Sequence, residues 1–326
     1  MRSLVKLALA LVVVSAAAGA AGWLALYYYL QEPGPLREEL VLELPRGSGV
    51  MGIARQLAEA DVIRWPLAFA GAARLEGRDR SLRAGEFRFT PGMSPAEVLA
   101  LLESGKIVLH RITVPEGLTV AETYALLEAS EVLTGELPAQ PPEGSLLPET
   151  YMVPRGEPRV AIVERMRAAM KTALEEAWAG RQEDLPLEGP QQALILASVI
   201  EKETAVAAEY PLVAAVFVNR LRRGMRLQTD PTVIYALTEG EGPLGRPLTR
   251  ADLETDHPYN TYKNGGLPPG PIASPGRGAL AAAVNPADVD FLYFVADGSG
   301  GHAFARTLRE HNRNVARWRR VRDAAQ

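Results

Sequence analysis

The most restrictive feature of the sequence is a long uncharged segment near its N-terminus. After Arg2 and Lys6, residues 7–30 contain no charged side chain, and about 20 consecutive apolar residues are enough for a helix to cross the hydrocarbon core of a bilayer. Trp23 and the tyrosines at 27–29 cluster at the far end, as in an interfacial aromatic belt. We therefore predict a cytoplasmic stub and a transmembrane helix within residues 1–31.

The charges that flank this segment predict its orientation. Arg2, Lys6 and the amino group precede it, whereas Glu32, Glu38 and Glu39 follow it. By the positive-inside rule, the N-terminus lies in the cytoplasm and the rest of the chain lies on the extracytoplasmic side of the cell membrane. The alternative is a cleaved signal peptide, because residues 16–22 are small. The apolar residues continue past those sites, which favours an uncleaved, single-pass anchor.

Composition excludes several classes of function. The 326 residues suggest about two domains plus the anchor, and a net charge of −4 argues against a nucleic-acid binder. The absence of cysteine excludes disulfides, thiolate metal sites and cysteine nucleophiles. The four histidines are scattered and form no HExxH motif, so we predict neither a metal site nor a cofactor.

An internal repeat follows a Pro-Gly-Pro hinge at 33–35. Residues 42–63 align without gaps with residues 112–133, and residues 87–104 form a third, partial copy. Each full copy has a short apolar stretch, a Pro-x-Gly turn and a helical pattern with Ser or Thr near its start. Pro-x-Gly before a helix is common, but a match over about twenty residues favours a true repeat. We predict a small α+β module over residues 38–137, built from strand-turn-helix units.

The rest of the chain, residues 138–326, has the pattern of a mixed α/β domain. A Pro- and Gly-rich stretch at 138–158 predicts a connection between domains. Helical patterns cover residues 159–179, 189–205, 212–221 and 306–322, and residues 291–298 predict a buried strand. Residues 240–278 form a long Pro- and Gly-rich segment, and such segments are usually either functional or disordered. The predicted fold class is α+β.

One apolar run in this domain ends abruptly in acidic residues. Residues 193–200 contain no polar side chain except Ser198, and Glu201, Lys202 and Glu203 follow at once. A helix here would be buried nearly all round, and both burial and a helix C-terminus disfavour the charged form of a carboxylate. Glu201 is thus a candidate general acid. The alternative is that both glutamates begin the exposed end of a core helix.

The motifs support a family resemblance that covers nearly the whole chain. In order, they are ASVIEKET (197–204), VFVNRL (216–221), LQTDPTVIYAL (227–237), YNTYKNGGLPPGPIASPG (259–276) and LYFVADGSGGHAFARTLREHN (292–312). Together they resemble the MltG/YceG-like endolytic murein transglycosylases. The resemblance implies a membrane anchor, a LysM-like module and a catalytic domain, and it makes Glu201 the catalytic acid.

The implied reaction needs a single carboxyl group. Ordinary glycosidases use two carboxyls, whereas a lytic transglycosylase uses the C6 hydroxyl of the sugar itself as the attacking group. The acid would protonate the glycosidic oxygen between N-acetylmuramic acid and N-acetylglucosamine, then accept the C6 hydroxyl proton as a 1,6-anhydro end forms. The resemblance implies peptidoglycan glycan strands and the cell membrane as partners, with peptidoglycan synthases as candidate protein partners.

Other residues have open roles at this stage. Gln228, Asp230, Tyr259, Asn260 and Tyr262 are candidate substrate contacts, although Asp230 could equally cap the helix that Pro231 begins. Four further residues are expected to support the site: Asn219, Arg220, Glu149 and His302. A hydrolase with Glu149 or Asp230 as second carboxylate is the first alternative function. A non-catalytic peptidoglycan-binding scaffold is the second.

Overall fold

A computed structural model of the chain describes residues 2–324 and begins with the predicted apolar helix. Helix α1 spans Arg2–Gln31. Within it, Ser3–Gln31 is long and apolar enough to cross a membrane, and most of its side chains are exposed. The helix is therefore compatible with the predicted transmembrane anchor.

The folded part of the chain forms two compact units. The first comprises the chain up to His110 together with Met152–Arg155, and the second comprises Arg111–Tyr151 and the chain from Gly156 onward. Residues 111–137, which we assigned to the N-terminal module, belong by compactness to the second unit. That residues 38–137 form one functional module stays a prediction.

In the first unit, a two-stranded sheet is covered by helices. Its elements after α1 are β1 (Leu40–Leu44), α2 (Val50–Glu59), α3 (Pro66–Leu75), β2 (Gly85–Phe89) and α4 (Pro95–Ser104). Strands β1 and β2 are antiparallel, with Leu40 opposite Phe89 and Leu44 opposite Gly85. Side chains alternate across a strand, so Leu44, Phe87 and Phe89 point into a core formed with the helices.

The structure has three strand-turn-helix units at the positions of the predicted repeat. Gly47, Gly92 and Gly117 have φ of 84°, 70° and 76°, and each lies three residues before the start of a helix. These left-handed turns favour glycine, which explains why the Pro-x-Gly or Thr-Pro-Gly signature recurs. The first two strand-turn-helix units pair through strands β1 and β2. The third strand-turn-helix unit lies at the start of the second compact unit. The assignment of a LysM-like module stays a prediction.

Helices dominate the second unit. It contains most of β3 (His110–Thr113), α5 (Val120–Glu128), β4 (Leu133–Thr134), the start of β5 (Thr150–Val153), β6 (Glu157–Pro158), α6 (Arg159–Ala179), α7 (Pro190–Glu203), α8 (Tyr210–Arg222), α9 (Asp230–Thr238), α10 (Arg277–Val284), β7 (Tyr293–Ala296), β8 (His302–Ala305) and α11 (Leu308–Ala324). Strands β7 and β8 pair antiparallel, whereas β4 and β6 pair parallel. The mixed α+β class is confirmed.

Helix α7 lies at the centre of the second unit, as its apolar sequence predicts. All residues from Ala193 to Ile200 are buried, and α6, α8, α9 and α10 pack around them. Ser198 is the one polar residue in this run, and its hydroxyl donates to Ile195 O (2.7 Å) and accepts from Ile272 N (3.1 Å). The core thus anchors both α7 and the segment that precedes α10.

The segment 138–158 differs from the expected connection. Leu146 and Leu147 are fully buried, as is Val153, and Leu147 belongs to the core around α7. The Pro and Gly content correctly indicated irregular backbone. It did not reveal that this segment also contains two short strands, β5 and β6, and contributes buried leucines to a core.

Candidate active site

A cavity of about 470 Å³ opens beside the C-terminal end of α7. It is bounded by the ends or faces of α7, α8 and β7, by the turn before α9 and by the start of α11. The lining residues are Glu203, Phe217, Arg220, Leu227, Gln228, Asp230, Tyr262, Tyr293, Phe294, Val295, Leu308 and His311. The lining combines charged, amide and hydroxyl groups with aromatic and aliphatic side chains, and concave sites with convergent polar groups are candidates for ligand binding.

Glu203, like Asp230, is an acidic residue that lines this cavity. It is the last residue of α7, and the buried Thr229 hydroxyl donates to its Oε1. Burial raises the pKa of Glu203 to about 7, and the negative charge of Asp230 acts in the same direction. The hydrogen bond from Thr229 opposes this rise without cancelling it. Such a carboxyl retains its proton near neutrality, which is the property of a general acid.

Arg220 and two rings form another wall of the cavity. The buried Arg220 guanidinium donates to Leu292 O and Leu227 O, both at 2.7 Å, and lies 5.2 Å from the centre of the Tyr293 ring. The His311 ring stacks on Tyr293 with centroids 5.3 Å apart. Burial lowers the pKa of Arg220 and that of His311, and the two charges also disfavour each other. Arg220 thus holds the backbone at Leu292, before β7, and at Leu227, before α9; its organising role in a catalytic site stays a prediction.

Asn219 has the same kind of supporting role. Its amide donates to Val289 O (2.7 Å) and Phe291 O (3.1 Å). These bonds hold the segment that leads into β7, which carries Tyr293 and Phe294 to the cavity. Asn219 is not among the lining residues, in agreement with its predicted organising function.

Gln228, Asp230 and Tyr262 converge on the cavity from the two motifs that contain them. Gln228 has a left-handed backbone with φ of 50°, a conformation that non-glycine residues adopt rarely and that clusters at functional sites. The Tyr262 hydroxyl donates to Asp230 Oδ1 at 2.6 Å. The alternative that Asp230 caps a helix is wrong, because Asp230 is itself the first residue of α9 and no side chain caps it.

Glu201 lies on a different side of α7 from the cavity. Its carboxylate accepts from the Tyr210 hydroxyl (2.7 Å) and from the Gly276 amide (2.9 Å). A Cβ on Gly117 would lie 3.6 Å from Glu201 Cγ, so the third Pro-x-Gly turn packs against this side chain. Glu201 is half-buried and meets the end of the 259–276 segment, as expected. These contacts, however, indicate a structural role, because they connect the Gly117 turn and the Gly276 loop to the end of α7.

A second carboxyl, that of Glu116, lies beside Glu201. A Cβ on Gly276 would come within 1.7 Å of Glu116 Oε1, so glycine is needed where the two acidic side chains meet this backbone. Partial burial and the charge of Glu201 both raise the pKa of Glu116. The same surroundings, burial first and then Glu201, raise the pKa of Tyr210.

Two residues of the 259–276 segment are not placed as expected. Asn260 is fully buried; its amide donates to Leu253 O (3.0 Å) and Thr255 O (2.8 Å), and its Oδ1 accepts from Tyr262 N (2.9 Å). It leaves no surface for a sugar, so its assignment as a substrate contact is corrected to a loop-forming role. The Tyr259 ring packs at a tilt against the Tyr235 ring, with centroids 4.8 Å apart, and Tyr259 does not line the cavity.

Glu149 and His302 also make protein contacts away from the cavity lining. Glu149 accepts from Arg277 Nε at 2.6 Å in an ion pair, which disfavours it as a second catalytic carboxylate. His302 Nδ1 lies 2.7 Å from Glu209 Oε2, and its backbone amide donates to Glu209 Oε1 at 2.8 Å. This pair fastens β8 to the turn after α7, in agreement with a structural role at the edge of the site.

Sequence reasoning gave Glu203 no role, and it did not single out Glu116 or Tyr210. The sequence contained the same indication for Glu203 as for Glu201, because both residues directly follow the apolar run that forms α7. Within residues 2–324, no group of three or more histidine, aspartate or glutamate side chains is arranged to hold a metal ion.

Comparison with known proteins assigns the family. The sequence pattern of the YceG-like family matches residues 42–317, which takes in most of each compact unit and every cavity residue. The chain belongs to the YceG-like family. The resemblance predicted from the motifs is thereby confirmed.

Relatives of this YceG-like protein carry a specific name. A protein of Bacillus subtilis (strain 168) named endolytic murein transglycosylase is 32% identical over 305 residues, which cover 83% of this chain and 82% of the relative. A protein of the same name from Streptococcus pneumoniae (D39 / NCTC 7466) is 30% identical over 91% of this chain. The match covers only 62% of that longer relative.

A solved structure has a similar fold. The 2.6 Å crystal structure of a putative YceG-like protein from Listeria monocytogenes is 30% identical, with a TM-score of 0.52. The similarity covers 85% of this chain and 99% of that one.

Proposed function

We propose that this YceG-like protein is a membrane-anchored endolytic peptidoglycan transglycosylase. It cleaves the β-1,4 bond between N-acetylmuramic acid and N-acetylglucosamine within nascent strands and leaves a 1,6-anhydro end, which terminates glycan elongation. The enzyme class, a lytic transglycosylase and hence a lyase, agrees with the names of the relatives. Helix α1 holds the enzyme in the cell membrane, with its N-terminus in the cytoplasm.

The observation that carries the mechanism is the position of the Glu203 carboxyl, which lines the cavity and is buried enough for its pKa to be raised. A general acid must hold its proton at working pH and face the space where the substrate binds. Glu203 lines the 470 Å³ cavity and has a pKa of about 7, whereas Glu201 is bound to Tyr210 and Gly276. We therefore propose Glu203, rather than Glu201, as the general acid.

The reaction then proceeds with one carboxyl and no water. Glu203 donates its proton to the glycosidic oxygen as the bond from that oxygen to C1 of N-acetylmuramic acid breaks. The resulting carboxylate accepts the proton of the C6 hydroxyl while O6 bonds to C1, which restores the acid. Because the nucleophile belongs to the same sugar, its effective concentration is high and no second reactant needs to be positioned.

The other cavity residues position the sugar. Gln228 and Tyr262 offer hydrogen-bonding groups beside Asp230, and Tyr293 and Phe294 add aromatic surface to the lining. Arg220 and Asn219 hold the backbone that carries these groups. The amphipathic faces of sugars suit such a mixture of rings and polar groups.

Asp230 supports a second candidate function. It lines the same cavity as Glu203, and its charge raises the pKa of Glu203, so the two carboxyls influence each other. A hydrolase with Glu203 as acid and Asp230 as base or nucleophile would use this pair. Its product would carry one added water, whereas the lytic product would not.

The decisive experiment compares Glu203→Gln with Glu201→Gln on purified glycan strands, with products analysed by mass spectrometry. We expect wild type and Glu201→Gln to give anhydro-ended fragments and Glu203→Gln to give fewer than about one hundredth as many, since general acid catalysis contributes about 10²–10⁴-fold. Loss of product in Glu201→Gln with retention in Glu203→Gln would assign the acid to Glu201. Hydrated products from wild type would favour the hydrolase.

A further inference from the structure

The C-terminal end of helix α1 is built into the first compact unit. Leu30 is buried in the core of that unit, and Leu26 and Tyr29 pack against it. The Tyr29 hydroxyl donates to Trp65 O at 3.2 Å, at the start of α3. The apolar helix therefore does not join the unit through a flexible linker, and its depth in a membrane fixes the depth of the residues around it.

The length of the apolar segment places this junction at the membrane surface. Residues 7–30 would extend about 36 Å as a helix at about 1.5 Å per residue, whereas the hydrocarbon core is about 30 Å thick. The last turns of the segment thus lie at the boundary between hydrocarbon and headgroups. Trp23 and Tyr27 are exposed there, and both side chains prefer that layer.

Helix α3 lies at the same level as these aromatic residues. Leu75, at the end of α3, lines a groove together with Trp23 and Tyr27 of α1. Trp65, at its start, meets Tyr29, which is further along α1. Because Trp23 and Tyr27 precede Tyr29 in the spanning helix α1, these two contacts place the C-terminal end of α3 deeper in the membrane than its N-terminal end.

The outer face of α3 is apolar although nothing in the first unit covers it. Leu67 and Leu75 are 76% and 68% exposed, and Trp65 is 63% exposed. Leu67, Gly71 and Leu75 share one helix face because residues four apart lie side by side. A surface helix of a soluble unit is normally polar on this face. Arg74, exposed beside Leu75, supplies a cation suited to anionic headgroups.

We propose that α3 lies in the headgroup layer of the membrane that α1 spans, with Trp65, Leu67 and Leu75 inserted among the lipids. The proposal rests on the membrane anchoring by α1 that is part of the proposed function. Its occupant is the lipid surface, because the apolar face continues directly from the aromatic end of the span. The first unit then contacts the bilayer at two elements and has a defined orientation on it.

The absence of cysteine in the sequence allows a direct test. Single-cysteine variants of the full chain at Val13, Leu67, Leu75 and Val41 would be spin-labelled and placed in nanodiscs of phosphatidylethanolamine and phosphatidylglycerol. Accessibility to oxygen is then compared with accessibility to a water-soluble nickel chelate. Val13 reports the span, and Val41, an exposed apolar residue of β1, is the matched control.

We expect a severalfold higher ratio of oxygen to nickel accessibility at Leu67 and Leu75 than at Val41, with the label at Leu75 deeper than that at Leu67. If Val13 is in hydrocarbon but Leu67 and Leu75 resemble Val41, the docking proposal is wrong and the anchor stands. Low accessibility to both reagents at Leu67 and Leu75 would indicate a protein partner and would also overturn it. An aqueous Val13 would contradict the anchor, and the docking with it.

Discussion

Glu201 and Glu203 are two positions apart on α7, which turns them about 200° from each other around the helix axis. One carboxylate accepts hydrogen bonds from Tyr210 and Gly276, and the other faces the cavity with Gln228 and Tyr262. The sequence predicted an acid at the end of a buried helix. It could not say which of the two faces a cavity, because the groups that surround each come from segments far away in the chain.

The raised pKa of Glu203 predicts how activity depends on pH. The acid must be protonated, so the rate of glycan cleavage should fall above pH about 7, approaching tenfold per pH unit. The Thr229 hydroxyl stabilises the carboxylate form of Glu203, so Thr229→Val should move this alkaline decline to higher pH. The measurement is kcat against pH for both proteins. If the alkaline decline stays at the same pH in Thr229→Val, the group that causes the decline is not Glu203.

The same carboxyl should make stability depend on pH. The folded-state pKa of about 7 exceeds the ordinary value of 4.5, so the folded state binds more protons in that range and loses stability as the pH rises from about 4.5 to about 7. At about 1.4 kcal/mol per pKa unit, Glu203→Gln should be more stable than wild type by roughly 3 kcal/mol at pH 8. Near pH 4 the two should be equal.

Hydrogen exchange of the α7 amides, measured for both proteins at each pH, checks this prediction. The comparison of Glu201→Gln with wild type is the control, since Glu201 lies outside the cavity lining. If the α7 amides of wild type and Glu203→Gln exchange equally slowly at pH 8, the pKa of Glu203 is not raised in the folded state. A gain in stability with loss of activity is the usual consequence of removing a functional acid.

Among the secondary-structure elements, the strand-turn-helix units were predictable because their determinants are local. A glycine with positive φ ends each turn, and in two of the three copies a capping box begins the helix, at Ser94 with Glu97 and at Thr119 with Glu122. These features recur at fixed spacing in the sequence. The first copy differs, since Gly49 occupies the cap position of α2 and no side chain caps it.

This difference predicts unequal effects of matched substitutions. Ser94→Ala should destabilise α4 by about 1 kcal/mol, the typical contribution of a side-chain cap, because the Ser94 hydroxyl accepts from Glu97 N and the Glu97 carboxylate accepts from Ser94 N. Ser48→Ala, one position before the uncapped Gly49 at the start of α2, should change little. Hydrogen exchange of the α4 and α2 amides measures both, and equal effects would contradict the capping argument.

The long segment before α10 was the least predictable element. Its residues supported two interpretations, sugar contact or loop packing, for Tyr259, Asn260 and Tyr262. In the structure the three residues have different surroundings: Tyr262 lines the cavity, Asn260 holds the loop, and Tyr259 packs at a tilt against Tyr235. Asparagine and tyrosine side chains can form hydrogen bonds with backbone groups and with sugar hydroxyls equally well. The residue types alone therefore cannot show which of these partners each side chain has in the folded protein.

For the whole molecule, the apolar N-terminal segment has a second function that its hydropathy did not indicate. Its composition alone predicted a membrane span. The structure adds that its last turns complete the core of the first unit, where Leu30 is buried and α1 contacts α3 and α4. Hydropathy treats the segment as uniform, so it cannot distinguish lipid-facing residues from those that face Phe69 and its neighbours.

A chain that begins at Glu38 should therefore be less stable than one that begins at Trp23. The shorter fragment loses Leu30, Leu26 and Tyr29 from the core of the first unit, and burial of one large apolar side chain contributes about 1.5–3 kcal/mol. We expect a loss of roughly 3 kcal/mol that is confined to the first unit. Hydrogen exchange should show faster opening of α3 and α4 in the fragment from Glu38, whereas α7 should exchange equally in both. Leu30→Ala in the longer fragment should reproduce much of the effect, and unchanged protection of α3 in that variant would contradict a structural role for the end of α1.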